Sequence, residues 1–177
     1  MSLETARAHL AGFGRDGDVI ETAHSSATVE LAAAALGVAP ERIAKTLSFR
    51  GASSDTAVLV VAAGDARVDN AAFKSAFGIK ARMLLADEVL RLTGHEPGGV
   101  CPFGNPPAAV VFLDTSLQRF DTVFPACGNA ASAIELTCDE LMELGGASGW
   151  VTVTRIPEQD ARRRADVGEN GPPPPTP

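Results

Sequence analysis

The chain has 177 residues, of which 45% are hydrophobic and 21% charged, and its formal net charge is −7. Such a composition is typical of a globular protein with one core, and a negative charge argues against broad nucleic-acid binding, which depends on many Lys and Arg contacts with phosphates. No apolar run approaches the ~18 residues of a membrane span. No basic region followed by an apolar stretch opens the chain, so we expect a cytoplasmic protein. We also expect no membrane partner and no DNA partner.

The first half of the chain predicts short helices and strands in alternation. Apolar spacing and capping residues predict, in chain order, a helix at 3–12, a strand at 19–23, a helix at 29–36 capped by Thr28, a helical turn at 40–43, and strands at 45–50 and 56–63. The last of these strands is a largely apolar run in which half of the residues are β-branched, which is typical of a strand buried on both faces.

The second half continues the pattern around a loop rich in glycine. It predicts a helix at 70–77, a strand at 81–85, a helix at 87–92, strands at 109–113, 122–125 and 134–136, a helix at 139–144 and a strand at 150–154. These elements lack the regular rhythm of a doubly wound sheet. We therefore expect a mixed α/β (α+β) fold, with a curled mixed sheet or barrel flanked by short helices.

Domain boundaries follow from a change of composition near the C-terminal end. Residues 1–156 are expected to form a single domain, and residues 157–177, which close on a run of prolines, a disordered tail. The cysteines Cys101, Cys127 and Cys138 are odd in number and have no Cys-x-x-Cys spacing, so we expect reduced thiols and no metal. Neither a Gly-x-Gly-x-x-Gly motif nor a Walker-type loop occurs, and no cofactor is expected.

The loop Gly94–Gly104 contains four glycines and two prolines, a composition that excludes a regular helix or a central strand. Its exposed N–H groups, those of Gly99, Val100 and Cys101 in particular, are suited to hold a carbonyl oxygen or an oxyanion. A plain connection between two elements is the alternative. Cys101 with His95 also suggests a thiol nucleophile and its base, and this second alternative stays open.

Lys45 is the most prominent charged residue in an apolar context. Ile43 and Leu47 lie two positions away on either side, so in a strand all three share a face and the ammonium points towards the interior or a pocket. There it would bind a phosphate or stabilise an oxyanion. The alternative is a lysine that extends along the strand end into solvent.

Three further positions suggest binding to a polar ligand. His24 precedes the helix that Thr28 caps, and a helix N-terminus can hold an anionic or polar group. Gly128 and Asn129 lie between two predicted strands and read first as a hairpin turn, from which the asparagine amide can also reach a pocket.

Taken together, these residues resemble the YbaK/ProX aminoacyl-tRNA deacylases. The likeness spans about residues 20–154, and the motifs occur in the family's order. It rests on the following motifs: His24 with Thr28-x-Glu30, Leu36-Gly37-Val38, Ile43-Ala44-Lys45-Thr46-Leu47, Thr93-Gly94, Gly98-Gly99-Val100-Cys101-Pro102-Phe103-Gly104, Gly128-Asn129, Ile134-Glu135-Leu136 and Asp139-Glu140-Leu141.

The resemblance implies a free-standing relative of the editing insertion of bacterial prolyl-tRNA synthetases. It implies hydrolysis of the ester between tRNA and a wrong amino acid, with the acceptor end of an aminoacyl-tRNA as partner and an aminoacyl-tRNA synthetase as a further candidate. Lys45 corresponds to the family's lysine, and Gly98 to Pro102 to its Gly-x-x-x-Pro loop, both in an active site that uses no metal. Besides these, we expect substrate contacts from the following residues: His24, Thr28, Thr46, Gly128 and Asn129.

Departures from the family leave the amino acid undefined. The branch that acts on cysteinyl-tRNA carries serine where Cys101 stands, and serine and aspartate where Ala126 and Ala133 align. The alanyl-specific branch usually has a histidine near the later turn, and none occurs here. The expected substrate class is therefore a small amino acid: serine, threonine, alanine or cysteine. A non-catalytic module that binds tRNA or a synthetase through the same fold is the alternative to an enzyme.

Overall fold

The computed structural model describes residues 2–23 and 28–157. Its α-helices are α1 (Ser2–Ala11), α2 (Val29–Leu36), α3 (Asn70–Phe77), α4 (Ala86–Thr93) and α5 (Cys138–Leu144). Its strands are β1 (Ile20–Glu21), β2 (Ile43–Arg50), β3 (Ala57–Ala63), β4 (Arg67–Val68), β5 (Ala109–Asp114), β6 (Phe124–Pro125), β7 (Ser132–Ala133), β8 (Trp150–Val151) and β9 (Thr154–Arg155). Within these residues, no helix is long and apolar enough to cross a membrane.

A five-stranded mixed sheet with the order β6-β2-β3-β5-β8 organises the fold. The central pair β2 and β3 is antiparallel, whereas β6, β5 and β8 join their neighbours in parallel. Two short antiparallel pairs, β1 with β7 and β4 with β9, lie outside it. The prediction of a mixed sheet flanked by short helices is confirmed.

The sheet is buried because both of its faces are covered. On one face Leu59, Val61 and Leu113 belong to the main aliphatic core, which includes residues of α1, α4 and α5. On the other face Phe49 packs against Phe73 of α3, with their ring centroids 4.6 Å apart. This double burial explains why β3 is a nearly continuous apolar run rather than an alternating one.

Asp114 joins the end of β5 to the segment that follows β8. Its carboxylate is 1% exposed and accepts hydrogen bonds from Ser116 N–H at 2.9 Å, Val153 N–H at 2.8 Å and Thr154 Oγ1 at 2.6 Å. Ser116 Oγ in turn accepts from Ala63 N–H at 3.1 Å, at the C-terminal end of β3. A buried carboxylate thus holds the turn in which β3 ends.

The predicted strand 150–154 is divided between β8, in the main sheet, and β9, which pairs with β4. Two further predicted strands differ in the structure. Residues 81–85 make only one bridge, Met83 to Phe49, and Met83 and Leu85 are exposed, because this segment crosses the edge of β2 near its end instead of extending the sheet. The predicted strand 134–136 is replaced by β7, which forms two residues earlier, at Ser132–Ala133, because these are the residues that pair with β1. Leu136 still exchanges two hydrogen bonds with Val123.

Replacing Asp114 by alanine should lower the free energy of unfolding, because Ser116 N–H and Val153 N–H would lose their acceptor. Each buried donor left unpaired costs about 1–3 kcal/mol. Asp114→Asn keeps one carbonyl oxygen as acceptor and should lose less. Urea unfolding followed by circular dichroism measures both, and equal unfolding midpoints for the wild type and Asp114→Ala would contradict this role.

Candidate active site

A cavity of about 360 Å³ lies beside the outer edge of β2, where the sheet is interrupted between β6 and the segment 82–84. Lys45 and Thr46 line it from β2, and Gly98 and Val100 line it from the glycine loop. Most of its remaining wall consists of small or aliphatic side chains, among them Val29, Ala32, Ala44, Ala126, Ala130, Ala131 and Ala133. The fold therefore brings Lys45 and part of the glycine loop to one cavity.

Lys45 is fixed by two main-chain carbonyls. Its Nζ donates to Gly64 O at 2.9 Å and to Ala66 O at 2.5 Å, both in the turn after β3. Burial lowers the pKa of Lys45 below its ordinary value, and the nearby Asp65 carboxylate opposes that shift. Because an ammonium has three N–H donors, two fixed by carbonyls leave one for a ligand.

The turn that receives Lys45 is itself held in place. Asp65 forms a two-pronged ion pair with Arg119, with N–O distances of 3.0 and 2.5 Å. Gly64 packs so closely on the preceding turn that a Cβ there would lie 2.0 Å from Pro40 O. The position of the ammonium is thus determined by main-chain atoms of a packed turn.

The glycine loop is positioned by close packing of main chains. A Cβ at Gly99 would lie 2.4 Å from Gly128 O, and a Cβ at Gly128, whose φ is +90°, would lie 2.1 Å from Ser2 O. Only glycine fits at these two positions. The start of α1, the turn at Gly128 and the loop at Gly99 are therefore stacked in direct contact.

This packing changes the expectation for the N–H groups of the loop. Gly99 N–H donates to Glu96 O at 2.9 Å and Gly99 is buried, so it contributes to packing and does not offer a donor to the cavity. Within the described residues, Val100 N–H and Cys101 N–H donate to no other group. Val100 lines the cavity, so its amide is the candidate for holding a carbonyl oxygen. Cys101 is fully buried and does not line the cavity, so the expectation that its N–H faces a ligand is not met.

Cys101 and His95 lie close together but inside the core. The Sγ of Cys101 is 3.6 Å from His95 Nε2, yet both residues are 0% exposed and neither lines the cavity. His95 Nε2 is 2.9 Å from Phe103 O, a contact that requires it to donate its proton rather than to accept one. Burial raises the pKa of Cys101 to about 12 and lowers that of His95, so a thiolate is disfavoured here.

The other expected contact residues have different surroundings. Thr28 caps α2 by accepting from Leu31 N–H at 3.3 Å, and it also lines the cavity. Asn129 lines the cavity too, while its Oδ1 accepts from Ala131 N–H at 2.8 Å within the predicted turn. Pro102 is buried and does not line it. His24 lies outside the described residues.

Sequence reasoning missed most of the cavity wall. The wall includes the run of small residues 130–133, whose lack of bulk was the available signal. It also missed Thr46, a residue that lines the cavity and whose Oγ1 is buried and has no hydrogen-bond partner among the described residues. A buried hydroxyl without a partner is uncommon in folded proteins.

Comparisons with known proteins agree with this geometry. The model of the family described as "Aminoacyl-tRNA editing domain" matches residues 23–144, a range that includes Lys45, the glycine loop and Asn129. The uncharacterized protein YwhH of Bacillus subtilis (strain 168) is 54% identical over 155 residues, which cover 88% of this chain and 98% of YwhH.

Two solved structures have the same fold. One is a protein proposed to be a trans-editing enzyme for prolyl-tRNA synthetase, at 29% identity and a TM-score of 0.78, covering 87% of this chain and 97% of that one. The other is the hypothetical protein APE2540, at 29% identity and a TM-score of 0.71, covering 83% and 99% of the two chains.

Replacing Gly99 by alanine should displace the loop from the turn at Gly128 and lower the free energy of unfolding by about 1–3 kcal/mol, the usual cost of overpacking. Gly17→Ala is the matched control, because a Cβ there has no atom within 4 Å. Its effect should stay within about 0.5 kcal/mol. Thermal unfolding of both variants checks this, and equal small effects would mean that the loop is not held by Gly128.

Proposed function

Because the chain belongs to the aminoacyl-tRNA editing domain family, we propose that it is a trans-editing deacylase, which hydrolyses the ester of a mischarged tRNA carrying a small amino acid of the serine, threonine, alanine and cysteine class. The observation that carries the proposal is the shared cavity. Lys45, Gly98 and Val100 line one cavity, whose remaining wall is made of uncharged and mostly small or aliphatic residues.

The chemistry needs little from the protein beyond positioning and charge stabilisation. Water attacks the ester carbonyl carbon, the bond to the ribose oxygen breaks, and the proton released by the water ends on that oxygen. The products are a free amino acid and a tRNA with its terminal hydroxyl restored. An ester of this kind is already activated, so a placed water and donors for the developing oxyanion are sufficient.

The residues of the cavity divide this work. Val100 N–H, which donates to nothing else among the described residues and belongs to a residue that lines the cavity, is assigned to the carbonyl oxygen. The remaining donor of Lys45 is assigned to the terminal phosphate or the ribose oxygens, which carry negative charge or lone pairs. The proton transfers are assigned to the substrate's own amine or ribose hydroxyl, since the described cavity wall holds no carboxylate or histidine.

Size selection is assigned to the walls of the cavity. A wall excludes a larger side chain by overlap, whereas the absence of one methylene costs only about 1–3 kcal/mol of discrimination. Walls of this kind do not strongly separate small side chains from each other. Identity of the tRNA, or a synthetase partner, would have to supply the rest.

A thiol hydrolase that uses Cys101 and His95 is not supported by the geometry. Both side chains are buried away from the cavity, and the histidine nitrogen that faces Sγ also contacts Phe103 O. A non-catalytic module that binds the acceptor end of tRNA would use the same cavity. The difference between that module and an enzyme is turnover.

A panel of tRNAs mischarged with serine, threonine, alanine, cysteine or proline tests the proposal. The protein should release at least one of the small amino acids faster than buffer alone. Lys45→Met removes the charge but keeps the aliphatic stem, and it should reduce the rate by about 100-fold, as loss of one preorganised charge-stabilising group does. Lys74→Met, on the exposed surface of α3, is the matched control and should retain the rate.

Three outcomes separate the candidate functions. No release of any amino acid would overturn the enzyme and leave a binding module. Activity that Cys101→Ser abolishes while Lys45→Met retains it would favour a thiol enzyme. Activity that survives in Cys101→Ser and is lost in Lys45→Met supports the deacylase.

A further inference from the structure

The outer edge of β2 is paired at both ends and open in the middle. At its start, Ile43 and Ala44 pair with β6 at Phe124 and Pro125. Near its end, Ser48 C=O accepts from Leu84 N–H at 3.0 Å, and Arg50 N–H donates to Arg82 O at 2.8 Å. The cavity lies between these two paired regions and is lined by residues of both.

The main chain of Thr46 faces the open middle part of the β2 edge. In a strand, the N–H and C=O of alternate residues point to the same edge, so Thr46 shares its direction with Ser48 and Arg50. Lys45 and Leu47 point the other way, towards β3, where they lie opposite Ala62 and Val60. On the cavity side, Thr46 pairs with no residue of the described chain, and its Oγ1 is buried without a partner.

An open strand edge in a cavity is a binding site for a group that resembles a peptide. Unpaired main-chain groups at a strand edge are commonly satisfied by ligands that add a strand. An aminoacyl ester carries a donor on its α-nitrogen and an acceptor on its carbonyl, separated by one α-carbon. It therefore has the same pattern as a single residue of an antiparallel strand.

Resting on the proposed function, we propose that the main chain of Thr46 binds the aminoacyl group of the substrate as a one-residue strand. The C=O of Thr46 accepts a hydrogen bond from the α-amino group, and the N–H of Thr46 donates to the ester carbonyl. The second lone pair of that carbonyl stays available for Val100 N–H, on the glycine loop that lines the same cavity.

This arrangement makes the α-amino group a requirement for recognition. The protein then recognises a group that all aminoacyl-tRNAs share, while the walls of the cavity contact the amino-acid side chain. An ester without a donor on the α-carbon would leave the Thr46 C=O unpaired in the complex. Loss of one buried hydrogen bond of this kind lowers affinity for the transition state by about 10- to 100-fold.

Three esters on the same tRNA test the inference: alanyl, lactyl and propionyl, in which the α-amino group is kept, replaced by hydroxyl or replaced by hydrogen. Each enzymatic rate is divided by the rate of the same ester in buffer, since the α-substituent changes intrinsic reactivity. The acceleration of propionyl should be about 10- to 100-fold lower than that of alanyl, with lactyl between them. Equal accelerations for alanyl and propionyl would overturn the inference but leave the deacylase standing.

Thr46→Val separates the main chain from the side chain. The variant removes the unpartnered hydroxyl and keeps the strand, so the ratio of alanyl to propionyl acceleration should be unchanged, whatever happens to the absolute rate. A ratio that falls to one in Thr46→Val would assign recognition to the hydroxyl and overturn the assignment to the main chain.

Hydrogen exchange gives a direct view of the Thr46 amide. In the free protein this amide should exchange faster than the amides of Lys45 and Leu47, which face β3. A stable analogue, adenosine with alanine joined to its 3′ position by an amide, should slow the exchange of Thr46 at least tenfold and leave Leu47 unchanged. Binding of the analogue without protection of Thr46 would contradict the proposal.

Discussion

The Lys45 ammonium, held by the carbonyls of Gly64 and Ala66, is the interaction on which the candidate site depends. A buried amine is costly unless its donors are satisfied, and here the acceptors are main-chain oxygens whose position the fold sets. The turn that contains Gly64 and Ala66 is itself held by the end of β3, by the ion pair of Asp65 with Arg119, and by Ser116. The Lys45 ammonium is therefore held in a fixed position by main-chain atoms that follow the sheet.

The second constraint is the close approach of main chains at Gly99, Gly128 and Ser2. It packs the glycine loop onto the turn before β7, and the next amide of the loop, at Val100, donates to no other group among the described residues. A charged residue and an amide donor on different walls of one cavity suit ester hydrolysis at a rigid site. Cys101 has the position of a nucleophile in sequence but the surroundings of a core residue.

Much of this could be predicted from the sequence, for reasons that particular residues make clear. The helices at Asn70–Phe77 and Cys138–Leu144 carry their own caps, at Asp69 and Thr137, and local chemistry was sufficient to find them. The strand β3 could be predicted from its continuous apolar run, because a strand buried on both faces needs no alternation of apolar and polar residues. The position of Lys45 beside a cavity also followed from its apolar neighbours.

The rest depended on contacts between distant parts of the chain. The segment 81–85 alternates like a strand, and only the position of β2 determines that it makes a single bridge there. Gly99 was expected to offer its N–H to a ligand, but Glu96 O already accepts it. The edge of β2 is open at Thr46 because β6 ends before this residue and the chain pairs with β2 again only near Arg82. No local sequence pattern predicts these two boundaries.

A crystal structure with the amide-linked alanyl-adenosine analogue would show whether the cavity binds the aminoacyl group. We expect the alanyl group in the cavity, its carbonyl oxygen within hydrogen-bond distance of Val100 N–H, and the nucleoside on the side of Lys45. An analogue bound elsewhere on the protein, or bound in the cavity with its carbonyl turned away from the glycine loop, would contradict the proposed function of this site.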